Sequence, residues 1–211
     1  MISIIIPYLL KSECIDLCLE KIKANTTCSY EVVTIKDSNN VYGAYNYGAM
    51  KSHGDIITFL NDDMVVAPAW NESIEKHCTP RTIVTTRLIE PGYLKPNKTI
   101  TEKDFGRHPD DFDYQAFIKF VSEQTHEECV EPAFGWFMPF GVQKDSFVAF
   151  PNQIPFPHNN DFGLFQQLSV MRYKFKLVNS YAYHFQRMSQ RDTCEEVENK
   201  VIKPRTESYA P

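Results

Sequence analysis

Short β-branched runs alternate with helical patterns through the first half of the chain, and this alternation limits the possible folds. The strand-like runs are Ser3–Ile6, "YEVVTI" at 30–35, "DIITFL" at 55–60 and "TIVTTRL" at 82–88. The segments between them predict helices: one capped by Ser12, one in "GAYNYGAMKSHG" and one over 68–78. Strands joined through such helices predict βαβ units, and therefore an α/β fold with a mostly parallel, doubly wound central sheet flanked by helices.

The second half of the chain is predicted to add a smaller set of elements to the same domain. Residues 89–112 are rich in Pro, Gly, Lys and Asp and predict a long loop, followed by a helix near 113–125. "EPAFGWFMPFG" at 131–141 and "KLVNSYAYHF" at 176–185 are typical of strands, and "NNDFGLFQQLSVMRY" at 159–173 predicts a helix. A chain of 211 residues fits one such domain.

Composition argues against several classes of function. The 22 Lys and Arg against 27 Asp and Glu give a net charge of -5, which disfavours a nucleic-acid partner held by a basic face. No apolar run is long enough to span a membrane, and "MISIIIPYLL", which lacks the charged start of a signal peptide, is interpreted as the first strand. The six cysteines contain no C-x-x-C pair, which favours free thiols in a reducing compartment and so a cytoplasmic location.

Polar residues follow three of the predicted strands at the point where each strand ends. They are Pro7-Tyr8, Asp37-Ser38-Asn39 and Asn61-Asp62-Asp63. Because the carboxyl ends of parallel strands meet at one edge of a sheet, these residues are expected to line one crevice. Adjacent acids after a strand project to different sides, so one can hold a divalent ion while the other contacts a ligand. The alternative is that Asp62 and Asp63 only cap the following turn.

Several common nucleotide and hydrolase motifs are absent from the sequence. It contains no G-x-x-x-x-G-K-[ST], and "PYLLKSE" after the first strand lacks the glycines of a dinucleotide fingerprint. A G-x-S-x-G elbow is also absent, which argues against the usual serine hydrolase.

The segments "SIIIPYLLKSE", "VVTIKDSNN" and "YNYGAMKSHGDIITFLNDDM", in this order and spacing, resemble family 2 glycosyltransferases with the GT-A fold. "GWFMPF", "NNDFGLF" and "AYHFQRMS" continue the resemblance more weakly. The resemblance implies a GT-A domain over 1–190, with a nucleotide-binding half (1–88), an acceptor and catalytic half (113–190) containing a smaller β element, and a polar tail (191–211). The chain is most similar to chlorovirus members, in which such a domain begins a larger protein. This resemblance implies that the polypeptide contains further domains and that the protein is located in the host cytoplasm.

The resemblance also implies a donor site at the strand ends. In the family pattern Asp37 contacts the uracil imide, Asp62 contacts the ribose, and Asp63 with His184 binds the metal. The other residues that the pattern places on the donor side are Pro7 and Tyr8 beside the base, Asn46 of an Asn-x-Gly helix, and Asn61 in the first position of the Asp-x-Asp-like motif. Taken alone, His184 is more often a core or surface histidine.

The remaining candidates belong to catalysis and to the acceptor side. Asp161 is implied as the general base, although Asn160 stands where the family has Glu; the alternative is that Asp161 caps a helix. Trp136 is a candidate sugar platform or a core residue. Arg187 and Arg191 are candidates to close over the diphosphate, or they belong to a solvated tail.

Together these residues predict an inverting, metal-dependent glycosyltransferase. It would move a hexose or 6-deoxyhexose, rhamnose or glucose, from a UDP-sugar to a glycan hydroxyl, with Mn²⁺ preferred over Mg²⁺. One alternative is a sugar nucleotidyltransferase, which normally has a glycine-rich loop after the first strand. Another is a catalytically silent nucleotide- or sugar-binding module of a longer protein.

Overall fold

The structure is a computed structural model that describes residues 1–9, 12–36, 40–92, 100–132, 139–151 and 160–186. Its strands are β1 Ile2–Tyr8, β2 Tyr30–Lys36, β3 Ile56–Phe59, β4 Met64–Val66, β5 Thr82–Glu90, β6 Ile100–Glu102, β7 Cys129–Val130, β8 Phe140–Gln143 and β9 Lys174–His184. Its helices are α1 Ile15–Asn25, α2 Val41–Lys51, α3 Trp70–His77, α4 Tyr114–Ser122 and α5 Asn160–Val170, with 3-10 turns at Pro109–Asp111 and Lys144–Ser146. Strands and helices thus alternate as predicted.

All the described strands belong to one mixed sheet with the order β2-β1-β3-β8-β5-β9-β4. Strand β6 pairs with β5, and β7 pairs with β9. The pairs β1–β2, β1–β3, β5–β6 and β5–β9 are parallel. The predicted α/β fold with a central sheet flanked by helices is confirmed. The sheet is mixed because β8 enters antiparallel to both β3 and β5, and because β4 and β7 run antiparallel to β9.

The strand directions bring five strand ends to the same edge of the sheet. Two successive antiparallel pairings, β3–β8 and β8–β5, leave β5 running in the same direction as β3. Strand β9 is parallel to β5, and β1 and β2 are parallel to β3. The carboxyl ends of β1, β2, β3, β5 and β9 therefore lie together, and we call this the carboxyl edge.

Three parts of the structure differ from the sequence prediction. Helix α1 begins at Ile15 with Cys14 at its N-cap, so Ser12 does not cap it. The chain turns back immediately after Asp63 and forms β4, a strand of three residues that the sequence pattern did not predict. The predicted loop at 89–112 contains the end of β5, the short strand β6 and a 3-10 turn. Both strands are too short for a clear alternation of apolar and polar residues.

Apolar side chains pack in two clusters against the sheet. The larger one joins β1, β3, β8 and α5 with α1 and α3, and it includes the isoleucines of β1 and the buried Trp70. The second lies beneath α4, where Phe117 packs against Tyr183 of β9 together with Phe105 and Phe185. Because successive side chains of a strand point to opposite faces, Tyr183 in this cluster places His184 on the other face.

Helix α2 lies so close to β1 that one of its glycines has no room for a side chain. A Cβ built on Gly48 would lie 2.3 Å from Cγ2 of Ile5. We expect Gly48→Ala to lower the free energy of unfolding by about 1–3 kcal/mol, because overpacking outweighs the better helix propensity of alanine. Urea denaturation measures this change, with Met50→Ala on the exposed side of α2 as a control near zero. A Gly48→Ala protein as stable as the native one would refute this close packing.

A buried hydroxyl and a carboxylate join three segments at the opposite edge of the sheet. Ser3 Oγ donates a hydrogen bond to Glu31 Oε1 (2.6 Å) and accepts one from the Gly54 amide (2.7 Å). His53 Nδ1 lies 3.1 Å from the other oxygen of Glu31. Burial opposes the charge of Glu31, but these donors outweigh it and lower its pKa from an ordinary value of 4.5 to about 2.

The depressed pKa of Glu31 predicts an acid-dependent loss of stability. Its contribution is complete above the unfolded pKa of 4.5 and disappears as the pH falls towards 2. At pH 7 we expect Glu31→Gln to cost about 1–2 kcal/mol, after allowance for solvent screening. Urea denaturation should show that the native protein and the variant become more similar in free energy of unfolding as the pH approaches 2. If the difference between their free energies of unfolding did not change with pH, the charge of Glu31 would contribute nothing to stability.

Candidate active site at the carboxyl edge

An acid–imidazole pair lies at the carboxyl edge. In the β4–β9 pairing Met64 is opposite His184, and the Phe185 amide donates to the Asp63 carbonyl (3.0 Å). These backbone contacts bring Nε2 of His184 to 3.4 Å from Oδ1 of Asp63. The side chain of Asp63 is 4% exposed and that of His184 is 18% exposed. The two residues predicted as metal ligands are thus brought together from positions far apart in the sequence.

A second carboxylate contacts the other side of the same imidazole. Glu90, the last residue of β5, has Oε1 2.7 Å from Nδ1 of His184. Burial disfavours the charged imidazole, but Asp63 and Glu90 outweigh it and raise the pKa of His184 to about 10. The imidazole therefore lies between two acids that favour its charged form.

The two residues before Asp63 are also held at this edge. Asp62 is 4% exposed. Asn61 Oδ1 accepts a hydrogen bond from the Tyr45 hydroxyl of α2 (2.6 Å). Burial, followed by the charges of Asp62 and Asp63, raises the pKa of Tyr45 and of Cys18 well above their ordinary values. Both groups stay neutral, so Cys18 is an inert core thiol rather than a nucleophile.

Asn46 contacts the backbone that precedes α5. Its Nδ2 donates to the Phe150 carbonyl (2.9 Å), and its Oδ1 accepts from the Phe150 amide (2.8 Å). The adjacent Tyr45 ring stacks on the Phe150 ring with centroids 5.5 Å apart. Asn46 therefore links α2 to the chain before α5, and its predicted contact with the donor stays a prediction.

The structure describes the other predicted site residues to different extents. Pro7 is buried in β1, and Tyr8 ends that strand half-buried at the carboxyl edge. Asp161 lies in the first turn of α5, and its side chain is outside the described part. Asp37, Trp136, Arg187 and Arg191 lie outside the described residues.

The sequence analysis missed three residues of this site: Tyr45, Glu90 and Gln186. Glu90 falls within the predicted loop at 89–112, yet it follows the apolar run of β5 as the polar residues at 61–63 follow β3. The same rule for strand ends could have identified it. The contacts of Tyr45 and Gln186 depend on packing between distant segments, for which the sequence contains no signal.

The pair of Asp63 and His184 fits a metal ion that is shared with a ligand. The described residues contain no group of three or more His, Cys, Asp or Glu side chains arranged to enclose a metal ion. A carboxylate oxygen and an imidazole nitrogen form the start of a site for a first-row ion such as Mn²⁺. Two protein ligands leave coordination positions open, as ions that bind nucleotide phosphates require.

Comparison with solved structures identifies the fold. A crystal structure of GalNAc-T7 with UDP, GalNAc and Mn²⁺ superposes with a TM-score of 0.65 at 12% identity, over 87% of this chain and 43% of that one. S. aureus TarS 1-349 superposes with a TM-score of 0.57 at 9% identity, over 98% of this chain and 66% of that one. This is a GT-A-type fold. The chain thus spans less than two thirds of the length of either of these two proteins.

Another structural neighbour is an enzyme of a different kind. A nucleotidyl transferase from Methanothermobacter thermautotroptrophicus superposes with a TM-score of 0.52 at 10% identity, over 95% of this chain and 97% of that one. No family model and no curated protein matches the sequence. Within the described ranges, no helix is long and apolar enough to cross a bilayer.

Proposed function

We propose that the protein is a metal-dependent glycosyltransferase that uses a UDP-sugar as donor. The observation that carries this proposal is the pair of Asp63 and His184 at the carboxyl edge, with Oδ1 and Nε2 3.4 Å apart. In open α/β sheets ligands bind at that edge. The proposal is supported by the GalNAc-T7 neighbour, which was crystallised with UDP, GalNAc and Mn²⁺. Membership of family 2 and the likeness to chlorovirus proteins belong to the same proposal.

The residues of the nucleotide-binding half (1–88) would hold the donor. Pro7 and Tyr8 flank the base, Asp37 accepts from the uracil imide, and Asp62 accepts from a ribose hydroxyl. Asn61, fixed by Tyr45, shapes the floor of the site beside them. Asp63 and His184 would hold Mn²⁺ in preference to Mg²⁺, because an imidazole ligand suits Mn²⁺ better. When bound, the metal neutralises charge on the diphosphate.

The acceptor and catalytic half (113–190) would supply the groups that act on the acceptor. Asp161 takes the proton of an acceptor hydroxyl while that oxygen bonds to the anomeric carbon and the bond to the UDP oxygen breaks, so the configuration inverts. Helix α5 ends at Val170 and β9 begins at Lys174, so the first turn of α5, with Asp161, is the end of the helix farther from the start of β9. Trp136 would stack on the sugar, and Arg187 and Arg191 would bind the diphosphate.

The transferred group in this proposal is a hexose or 6-deoxyhexose, with rhamnose and glucose as the candidates. The acceptor is a glycan hydroxyl. The donor site is tested by titrating UDP into the protein in a calorimeter with Mn²⁺, with Mg²⁺ or with a chelator. We expect binding with Mn²⁺, weaker binding with Mg²⁺ and none with the chelator. Equal binding with the chelator would refute the metal dependence, and no binding in any condition would refute the donor site.

A second candidate is a nucleotidyltransferase, favoured by the neighbour that matches this chain over nearly its whole length. The two activities release different products. A glycosyltransferase releases UDP from a UDP-sugar. A nucleotidyltransferase instead joins the nucleotide of a nucleoside triphosphate to a sugar phosphate and releases pyrophosphate. A coupled assay for each product decides between them. The "PYLLKSE" segment after β1 lacks the glycine-rich loop usual in the second class.

A further inference from the structure

Glu90 is a buried carboxylate with a hydrogen-bond donor on each oxygen. Glu90 is the last residue of β5, at the carboxyl edge, and it is 6% exposed. Oε1 is 2.7 Å from His184 Nδ1, and Oε2 accepts from Gln186 Nε2 at 2.6 Å. A carboxylate with both oxygens engaged in this way is poorly placed to take a proton from a substrate. Its arrangement suits the support of a neighbouring side chain.

The backbone around this carboxylate is fixed on both sides. The parallel pairing of β5 with β9 places Ile89 opposite Tyr183. Glu90 and His184 are the next residues along the two strands, so they lie side by side. The Glu90 carbonyl accepts from the Lys103 amide (2.9 Å) just after β6. Gln186 is 1% exposed and has a φ of 58°, in the left-handed region that non-glycine residues rarely adopt. Such a backbone persists when surrounding contacts hold it, and the bond to Glu90 is one of them.

The two nitrogens of His184 therefore face different partners. Nδ1 is directed at Glu90, and Nε2 is directed at Asp63, 3.4 Å away. When Nδ1 carries a proton bound to a carboxylate, Nε2 is the nitrogen left to coordinate a metal. Metal-binding histidines are commonly oriented in this way, and loss of the outer partner typically weakens metal affinity about 10–100-fold.

We propose that Glu90 is a positioning residue that fixes the ring orientation and the Nδ1–H tautomer of His184 for metal binding, with Gln186 holding the second oxygen of Glu90. This inference rests on the proposed function, because it assigns His184 as a metal ligand. It adds to the metal site a residue at the end of a third strand. The two acids, Glu90 and Asp63, and the imidazole between them then form one chain of contacts from β5 through β9 to the turn before β4.

The first test reads the imidazole without any metal. Proton NMR of protein with isotope-labelled histidine, with His184→Gln to assign the signal, should show a slowly exchanging Nδ1 proton on His184. Glu90→Ala should lose that signal. Glu90→Gln should retain it, because the amide oxygen still accepts from Nδ1–H while the Gln186 amide turns over to accept from the new NH₂ group. Persistence of the signal in Glu90→Ala would overturn the proposal.

The second test measures Mn²⁺ affinity in the presence of UDP. We expect Glu90→Ala to weaken Mn²⁺ binding about 10–100-fold and Glu90→Gln to stay within about threefold of the native protein. Glu102→Gln is the matched control, because Glu102 is the register partner of Glu90 on β6 and is exposed. A merely structural role would lower the unfolding temperature of the Glu90 variants and leave the Mn²⁺ affinity of the folded protein unchanged, which would also overturn the proposal.

The two tests separate this inference from the proposed function. If the native protein binds neither Mn²⁺ nor UDP while Glu90→Ala loses the Nδ1 signal, the proposed function fails and the role of Glu90 in fixing the ring stands. If the native protein binds both and Glu90→Ala binds Mn²⁺ equally well, Glu90 has no positioning role and the proposed function stands.

Discussion

Asp63→Ala should abolish the Mn²⁺ dependence of UDP binding and lower sugar transfer by about a thousandfold or more. The carboxylate is one of two side chains that face the proposed ion, and a metal clamp on a departing diphosphate contributes several kcal/mol to the transition state. The fold should survive the change, because the bond from the Phe185 amide goes to the backbone carbonyl of Asp63 and not to its side chain. Calorimetry with UDP and Mn²⁺, followed by a transfer assay, measures both effects.

The matched control for this prediction is Asp145→Ala. Asp145 lies in an exposed 3-10 turn after β8, so its removal changes the net charge equally without touching the carboxyl edge. It should bind UDP and Mn²⁺ like the native protein. Metal-dependent UDP binding that persists in Asp63→Ala would place the ion elsewhere and remove the observation on which the proposed function depends.

Asp161→Asn should lower the rate of transfer by about 10²–10⁴-fold and leave UDP and Mn²⁺ binding unchanged. Asparagine has nearly the same shape as aspartate but cannot accept the proton of the acceptor hydroxyl, and general bases typically contribute this much. Single-turnover kinetics with a UDP-sugar, alongside calorimetry with UDP, separates the chemical step from binding.

The control for Asp161 comes from the same helix. Gln167 is exposed on α5, and Gln167→Ala should transfer sugar at the native rate. If Asp161→Asn also retained native activity, the base would be another residue, and Asp161 would serve only at the start of α5, where aspartate is common. A loss of UDP binding in Asp161→Asn would instead mean that this residue belongs to the donor site.

The parts of the fold that could be predicted are those in which apolar residues recur with the period of a strand or a helix. Strands β1, β2, β3 and β5 and the helices between them follow from alternating apolar runs, and the strand ends indicated where a ligand site would lie. The insertion of β8 between β3 and β5 could not be predicted, because the pairing of Ile56 with Gln143 joins segments that share no local pattern. Strand β4 is too short to give a signal of its own.

The same division applies to the candidate site. Asp62 and Asp63 are indicated by their place after β3, whereas His184 is implied as a metal ligand only by the family resemblance. Glu90 could not be predicted as a site residue because the segment after it has the composition of a loop. The predicted strand therefore ends two residues before β5 does. The contact between Asn46 and Phe150 and the left-handed backbone of Gln186 arise from packing between distant segments. Sequence patterns carry no record of such contacts.

The central position of β8 has a consequence for how this chain is made. During synthesis the edge of β3 stays open until β8, about 80 residues later, has left the ribosome. At ordinary translation speeds that delay lasts about 4–16 s, during which an apolar strand edge is available to other chains. Nascent chains of this protein should therefore depend on chaperones that shield strand edges, and fragments ending before residue 140 should aggregate rather than fold.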